Sequence, residues 1–317
     1  MKCLCCGKNI RQNVSEHELS SRWHSSCIKR FFGTSTIPDI DISEDLIEQL
    51  ARKSTEKGLT VPGIQKKLSL HLDDSSSTPR LTFVDYPTGY ILKPQTEEYP
   101  CLPESEYLVM DLADKSGIST VPHALIYLES QKKYAYITKR IDRKNGKIFA
   151  MEDFCQLAER LTEDKYKGSY EQCAKIIKKY SSRYGLDITE FYIRLVFSYI
   201  VGNSDMHLKN FSLIETDEGS GTYILSDAYD MLPVNTVNPA DTEQLALTLI
   251  GKKKNLRRND FLKFADVCDI DRSVAIKLID NLKSKHSVYL KEIDESYMSS
   301  DLKENLKDVV TGRIELL

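Results

Sequence analysis

The sequence lacks the long apolar run that a membrane protein needs. No stretch of its 317 residues approaches the roughly 18 uninterrupted apolar residues of a membrane-spanning helix. The opening segment has no apolar signal core, so we expect a cytoplasmic chain that does not meet a membrane. The sequence also has no large excess of charge of either sign. It contains 44 Lys and Arg residues and 47 Asp and Glu residues, which gives a formal net charge of −3. That balance argues against binding nucleic acid through bulk positive charge.

Structural disulfides are not expected in a cytoplasmic chain, so the eight cysteines need another role. Four of the eight lie in the first 27 residues, beside the only tryptophan, Trp23. The head also carries two short-spaced ligand pairs, separated by 17 residues, which are Cys3, Cys6, His24 and Cys27. This pattern predicts a closed, structural Zn²⁺ site, with Cys5 and His17 as alternative ligands. A head this small cannot build its own core, so the metal would supply folding energy.

The remainder has the composition of a folded chain, with 41% hydrophobic and 29% charged residues. Alternating apolar residues at Leu68–Leu72 predict a strand, and the apolar run at Ile188–Val201 predicts a buried helix. We predict an α+β, bilobal chain behind a zinc-knuckle-like head. Its four regions are the head at residues 1–36, a linker at 37–45, a small β-rich N-lobe at 46–141 and a larger helical C-lobe at 142–317.

The strongest chemical signal is the segment GNSDMHLKN at Gly202–Asn210. Asp205 and Asn210 have the five-residue spacing of a protein kinase catalytic loop, in which the Asp accepts the substrate proton and the Asn holds Mg²⁺. We predict that Asp205 is catalytic and include His207, which lies inside the same motif. The alternative is a polar loop that caps the next strand.

Two further pairs of residues fit the same chemistry. Asp227 and Asp230 follow a short apolar strand, where kinases place a second metal-binding Asp, and both are candidates. Lys93 ends another apolar strand and is a candidate for binding ATP phosphates. Its carboxylate partner on the following helix would be Glu106, with Glu104 as the alternative.

The segment before the first predicted strand, TVPGIQKK, resembles a phosphate-binding loop only weakly, because it holds a single glycine. Its candidate ATP-binding residues are Val61, Gly63, Ile64, Gln65 and Lys67.

In this order, the segments resemble the HipA-like serine/threonine kinases, the toxins of bacterial type II toxin–antitoxin systems. The matching segments are TVPGIQKKLSL, YILKP, ESEYLVMDLA, ITKRIDR, MEDFCQ, GNSDMHLKNFSL and SDAYDML. The resemblance implies a kinase-like fold that uses ATP and Mg²⁺, with Asn210 and Asp230 as the Mg²⁺ ligands. It favours Asp230 because an apolar pair follows that residue.

The resemblance also implies further contacts with ATP and a regulatory site. Lys93 would bind the phosphates, and the backbone at Lys139, Arg140 and Ile141 would meet adenine between the lobes. Thr60 falls at the autophosphorylation position of the family.

For partners, the resemblance implies a protein substrate of the aminoacyl-tRNA synthetase class and a DNA-binding antitoxin of the HipB-like type, so that DNA is met only indirectly. Only a short segment precedes the kinase loop, and in this the chain is similar to the split-toxin branch of the family. In that branch a separate HipS-like subunit supplies a subdomain. One rival function is a small-molecule phosphotransferase, against which MEDFCQ argues. The other is an inactive nucleotide-binding scaffold in an antitoxin or DNA complex, against which the intact set of site residues argues.

Overall fold

A computed structural model describes residues 1–11, 14–40, 67–75, 78–84, 88–144 and 146–317. The chain divides into two compact units, and the division passes through one helix. Unit 1 comprises Met1–Tyr107 and Val121–Lys144, and unit 2 comprises Leu108–Thr120 and Asn145–Leu317. The four-region division from the sequence stays a prediction. No helix in these ranges combines the length and apolar content needed to span a membrane.

The described helices, in chain order, are α1 Glu16–Ser21, α2 Ser25–Phe32, α3 Leu102–Lys115, α4 Phe154–Leu157, α5 Tyr170–Tyr180, α6 Tyr184–Ile200, α7 Val234–Val237, α8 Arg258–Val267, α9 Arg272–Ser284, α10 His286–Asp294 and α11 Ser300–Glu315. The strands are β1 Leu68–Asp73, β2 Arg80–Phe83, β3 Tyr90–Pro94, β4 His123–Leu128, β5 Lys133–Lys139, β6 Arg143–Lys144, β7 Lys147–Ile148, β8 Met151–Asp153, β9 Ser212–Glu215 and β10 Tyr223–Leu225.

Unit 1 is built on a five-stranded antiparallel sheet with the order β2-β1-β3-β5-β4. The predicted alternation in β1 is confirmed, since Leu68 and Leu70 are buried while Ser69 is half-buried. In the middle of the sheet, Lys93 of β3 lies opposite Tyr136 of β5. This register places a lysine side chain beside an aromatic ring at the sheet centre.

Residues 1–40, which comprise the head and the start of the predicted linker, cover both edges of this sheet. The Leu125 N–H of edge strand β4 donates to the Leu4 carbonyl at 2.9 Å, and the Trp23 indole N–H donates to the Leu125 carbonyl at 3.2 Å. At the opposite edge, the Leu81 N–H of β2 donates to the Asp39 carbonyl at 2.9 Å. Residues 1–40 therefore satisfy backbone groups that edge strands otherwise leave exposed.

The core of the head is shared with the sheet. Trp23, Phe31 and Phe32 are buried together, and the rings of Phe31 and Phe32 lie 6.0 and 5.6 Å from that of Tyr90 in β3. The aromatic residues of the head are thus buried against β3 of the sheet. Aromatic burial of this kind contributes strongly to stability.

Unit 2 contains the predicted apolar helix, α6, and a three-stranded antiparallel sheet with the order β10-β9-β8. The helix begins four residues earlier than predicted, and its interior face is fully buried at Phe191, Leu195 and Phe197. It ends just before Gly202, whose φ of +69° is a left-handed conformation that favours glycine. The catalytic-loop segment starts at this turn.

The turn at Gly202 has no room for a side chain. A Cβ atom there would lie 2.9 Å from Val309 Cγ1 and 3.4 Å from Asn235 Cβ. We expect Gly202→Ala to lower the free energy of unfolding by about 1–3 kcal/mol, measured by denaturant titration. The matched control is Gly312→Ala in α11, where nothing lies within 4 Å of the added methyl group. That change should raise stability by about 0.5–1 kcal/mol. Equal effects of the two substitutions would contradict this account.

Candidate functional site

The predicted catalytic loop folds around the backbone of Asp205. The Asp205 carbonyl accepts the His207 N–H at 2.8 Å and the Asn210 Nδ2 amide at 2.8 Å. The Asp205 N–H donates to Asn203 Oδ1 at 3.2 Å. The Asn210 amide nitrogen is thus used inside the loop, and its Oδ1 is a neutral oxygen of the kind that hard cations bind. Asp205 is half-buried, and His207 and Asn210 are buried.

The MEDFCQ segment fixes this loop from outside. The Asp153 carboxylate accepts the Gln156 N–H at 2.9 Å and forms a capping box at the start of α4. Its other oxygen lies 2.7 Å from Nζ of Lys209, inside the catalytic loop. The Phe154 N–H donates to the Phe211 carbonyl at 2.9 Å. The Asp-x-x-Gln spacing in the sequence indicates a helix cap. The ion pair between Asp153 and Lys209 has no such signal in the sequence.

A second set of contacts holds the start of the loop, and sequence reasoning missed it. Ser204 Oγ donates to Asp241 Oδ2 at 2.6 Å, and Asn235 Nδ2 donates to the Asp241 carbonyl at 3.0 Å. Arg313 Nη2 donates to Asn235 Oδ1 at 3.1 Å. These partners are far apart in the sequence, so no local pattern announces them.

The two aspartates after β10 have different surroundings. Asp227 Oδ1 accepts the Ser119 hydroxyl at 2.6 Å, and the adjacent Ala228 N–H donates to the Ser119 carbonyl at 2.7 Å. Asp227 is therefore part of a contact between two segments of unit 2. Asp230 instead has a φ of +58°, a left-handed conformation uncommon for residues other than glycine. Such backbone conformations cluster at functional sites.

Tyr166 is a site residue that the sequence did not single out. Its hydroxyl donates to Asp205 Oδ1 at 2.5 Å, and its ring meets His207 edge-on at 5.0 Å. Burial raises the pKa of Tyr166, and the negative charges of Asp205, Asp241 and Asp230 raise it further. The charges of the three carboxylates thus act on the same hydroxyl of unit 2.

In unit 1, the predicted lysine and carboxylate meet. Lys93 Nζ forms an ion pair with Glu106, and the two residues are only 3% and 0% exposed. The Lys93 ammonium also lies 5.3 Å from the centroid of the Tyr136 ring. The pairing decides the choice left open by the sequence, because the partner of Lys93 is Glu106 and not Glu104. A buried ion pair is costly to desolvate and is weak evidence for stability.

Glu104 lies in a different environment. Burial raises the pKa of its carboxyl group to about 7. In the described part of the chain, its Oε2 atom is buried without a hydrogen-bond partner. Glu104 and Glu106 are two residues apart on α3 and therefore face in different directions.

The backbone segment predicted to meet adenine is partly engaged in unit 1. The N–H groups of Lys139 and Arg140 donate to carbonyl groups of the unit at 3.0 and 2.9 Å. The Arg140 guanidinium makes two hydrogen bonds to Asp142, at 2.9 and 2.6 Å. A backbone donor to adenine would therefore have to come from Ile141.

The predicted phosphate loop lies largely outside the described residues. Thr60, Val61, Gly63, Ile64 and Gln65 belong to that stretch. Lys67 is described and is exposed, directly before β1. The roles assigned to these residues stay predictions.

The cysteine-rich head brings the predicted zinc ligands together. The ligand atoms of Cys3, Cys6, His24 and Cys27 all lie within 4.8 Å of one another. The His24 N–H donates to Cys3 Sγ at 3.4 Å, a contact that supports a thiolate. Three sulfurs and one imidazole suit tetrahedral Zn²⁺, whose bonds of about 2.0–2.3 Å fit within this spacing. The alternative ligands Cys5 and His17 lie outside the group of four.

We expect one Zn²⁺ per chain in protein purified without chelators, measured by elemental analysis. Cys6→Ser should lose the metal and lower the thermal midpoint, because the metal fixes a head that shares its core with the sheet. Cys5→Ser is the matched control, since it removes a neighbouring thiol from outside the cluster and should retain the metal. A wild-type protein without zinc, or equal metal loss in both variants, would refute the assignment.

The carboxyl group of Glu104 predicts a pH dependence of stability. Its folded pKa of about 7 exceeds the ordinary 4.5, so the unfolded state binds fewer protons between these values and stability falls as pH rises through that window. Glu104→Gln should therefore raise the free energy of unfolding by about 1–3 kcal/mol at pH 8 and by much less at pH 5. The exposed Glu129→Gln controls for the change in net charge. A gain that is the same at both pH values would count against burial as the cause.

Comparisons with known proteins agree with this arrangement. Residues 59–288 match the family described as HipA-like C-terminal domain. A Haemophilus influenzae protein named "Putative kinase" is 26% identical over 271 residues, which cover 77% of this chain and 77% of that protein. Two other curated relatives are longer, and the chain spans only 55% and 63% of their lengths.

Two solved structures share the fold. The HipA toxin of Shewanella oneidensis, determined with HipB and operator DNA, has a TM-score of 0.67 at 17% identity, covering 85% of this chain and 70% of its own. The Helicobacter pylori proinflammatory kinase CtkA has a TM-score of 0.54 at 15% identity, covering 78% of this chain and 92% of its own. The fold is thus mixed α/β and kinase-like, and with the match over most of its sequence the chain belongs to the HipA-like C-terminal domain family.

Proposed function

We propose that this protein is an ATP- and Mg²⁺-dependent protein serine/threonine kinase that acts as the toxin of a bacterial toxin–antitoxin system. The observation that carries the proposal is the loop around Asp205, in which the Asn210 amide donates to the Asp205 carbonyl at 2.8 Å. That bond sets the Asn210 side chain against the backbone of Asp205, so that a carboxylate and an amide oxygen lie on one short loop. In-line phosphoryl transfer needs these two groups close together.

Each remaining site residue has a defined task under this proposal. The Asp205 carboxylate would accept the proton of the attacking hydroxyl. Mg²⁺ held by Asn210 Oδ1 and Asp230 would neutralise charge on the transferred phosphoryl group. We prefer Asp230 to Asp227 because an apolar pair follows Asp230, as the family resemblance implies, and because its backbone has a left-handed conformation. In unit 1, Lys93 would bind the ATP phosphates while Glu106 holds its ammonium group in place.

The toxin role and the partners rest on family membership. The Shewanella HipA structure contains HipB and operator DNA, so we propose a HipB-like antitoxin for this chain, with DNA met through that antitoxin. We further propose a protein substrate of the aminoacyl-tRNA synthetase class, a separate HipS-like subunit, autophosphorylation at Thr60 and a structural Zn²⁺ in the head.

The test is transfer of radiolabelled phosphate from ATP into proteins of a bacterial lysate. Asp205→Asn should reduce the transfer by about 10²–10⁴-fold, the usual contribution of a positioned general base. Nucleotide binding should persist, because Lys93 lies in the other unit. Full activity of Asp205→Asn would refute the catalytic assignment. Labelling of small molecules but of no protein would favour the phosphotransferase alternative.

The two aspartates after β10 give a matched pair for the metal. Asp230→Asn should abolish transfer at millimolar Mg²⁺ and recover part of it as Mg²⁺ is raised, because one anionic ligand is lost. Asp227→Asn should retain most activity and lose stability, because it weakens only the contact with Ser119. The opposite pattern would transfer the metal role to Asp227.

A further inference from the structure

Tyr166 lies against the carboxylate that the proposed function makes the catalytic base. Its hydroxyl donates to Asp205 Oδ1 at 2.5 Å, the length of a strong, charge-assisted bond. Its ring packs edge-on against His207, at 5.0 Å between centroids. The residue is 43% exposed. A hydrogen bond to Asp205 and a solvent-exposed surface are thus combined in one side chain.

A substrate hydroxyl must donate the same kind of hydrogen bond to Asp205 before its proton is removed. The phenol of Tyr166 therefore competes with the acceptor for the Asp205 carboxylate, one of whose two oxygens it already contacts. Burial and the charges of Asp205, Asp241 and Asp230 raise the pKa of Tyr166, so the phenol stays protonated and remains a donor at neutral pH. It imitates a bound serine, threonine or tyrosine hydroxyl.

The loop that carries Tyr166, residues 158–169 between α4 and α5, is held at one side of the tyrosine and turns at the other. The Lys165 carbonyl accepts the Leu208 N–H of the catalytic loop at 3.2 Å. Gly168 has a φ of +156°, which favours glycine. Leu161, earlier in the loop, is 66% exposed. The loop thus exposes side chains to solvent within a few residues of Tyr166 in the sequence.

We propose that Tyr166 is a gate on Asp205, whose hydroxyl holds the carboxylate until a substrate hydroxyl displaces it. This inference rests on the proposed kinase function. Replacing the Tyr166 hydroxyl by a substrate hydroxyl on the Asp205 carboxylate gains little free energy, because one hydrogen bond is exchanged for another. The substrate must therefore gain its binding free energy from other contacts. A docked protein has such contacts, whereas water does not. The gate therefore favours protein acceptors and suppresses hydrolysis of ATP by water.

The direct test is Tyr166→Phe, which keeps the ring and removes the hydroxyl. We expect ATP hydrolysis without a protein acceptor to rise by about tenfold, equivalent to about 1.4 kcal/mol, with an unchanged Kd for ATP. Tyr180→Phe is the matched control, because it removes a hydroxyl from another exposed tyrosine, 37% accessible at the end of α5. Hydrolysis by this control should equal that of wild type.

An unchanged hydrolysis rate in Tyr166→Phe would overturn the gate. A lower rate at unchanged ATP affinity would also overturn it, because Tyr166 would then be a positioning residue that supports Asp205 rather than obstructing it.

A second measurement does not depend on activity. Acetylation of tyrosine hydroxyls by N-acetylimidazole, followed by peptide mass spectrometry, should modify Tyr166 more slowly than Tyr180 in wild type. In Asp205→Ala, Tyr166 should react as fast as Tyr180. Equal rates in wild type would overturn the gate even in an active kinase. If no variant binds or hydrolyses Mg²⁺-ATP while the acetylation difference is present, the kinase proposal fails and the contact with Asp205 stands.

Discussion

The ion pair between Asp153 and Lys209 is the interaction on which the candidate site depends. Asp153 is the last residue of β8. Its carboxylate caps α4 by accepting the Gln156 N–H and lies 2.7 Å from the Lys209 ammonium group. Because Lys209 precedes Asn210, the same carboxylate constrains the position of the predicted metal ligand. Asp153 also lies opposite Ser212 in the register of β8 with β9, so strand pairing and loop position are set together. Charged partners that are mostly shielded from water hold such geometry more firmly than surface pairs do.

The N-terminal residues 1–40 bind the two edge strands of the unit 1 sheet. A five-stranded antiparallel sheet has two edge strands, here β2 and β4, with unpaired backbone groups. Both form hydrogen bonds with residues 1–40, β2 with Asp39 and β4 with Leu4 and Trp23. The head in turn gains Tyr90 as a partner for its aromatic residues. Neither part reaches its full core without the other, so a metal bound at the Cys/His cluster would contribute to the stability of the strand that carries Lys93.

The sequence predicted what is local and failed where contacts are remote. The strands at Leu68 and Tyr90, the α6 helix and the loop from Gly202 to Asn210 follow from periodicity and spacing, and the structure confirms these elements. The choice between Glu104 and Glu106 could not be made, because it depends on how α3 is rotated about its axis. That rotation is set by packing and not by propensity.

The residues that sequence reasoning missed entirely share a physical reason. Tyr166, Asp241 and Arg313 act through partners 39, 37 and 78 residues away in the chain. No helical or strand period links such positions, and tyrosine or arginine is common in any surface segment. The capping box at Asp153 shows the contrast, since both of its members lie within one turn.

The two predicted metal sites use ligands that keep them chemically separate. Thiolates and imidazole in the head select a soft or borderline ion such as Zn²⁺, whereas carboxylate and amide oxygens at Asp230 and Asn210 suit Mg²⁺. A chelator selective for Zn²⁺ therefore acts on unit 1 and leaves the oxygen ligands of unit 2 unchanged. Since the head binds the edge of the sheet that contains Lys93, loss of Zn²⁺ should weaken nucleotide binding before it alters the chemistry at Asp205. Under these proposals, metal content and catalysis would be linked through the fold of unit 1 and not through a shared ion.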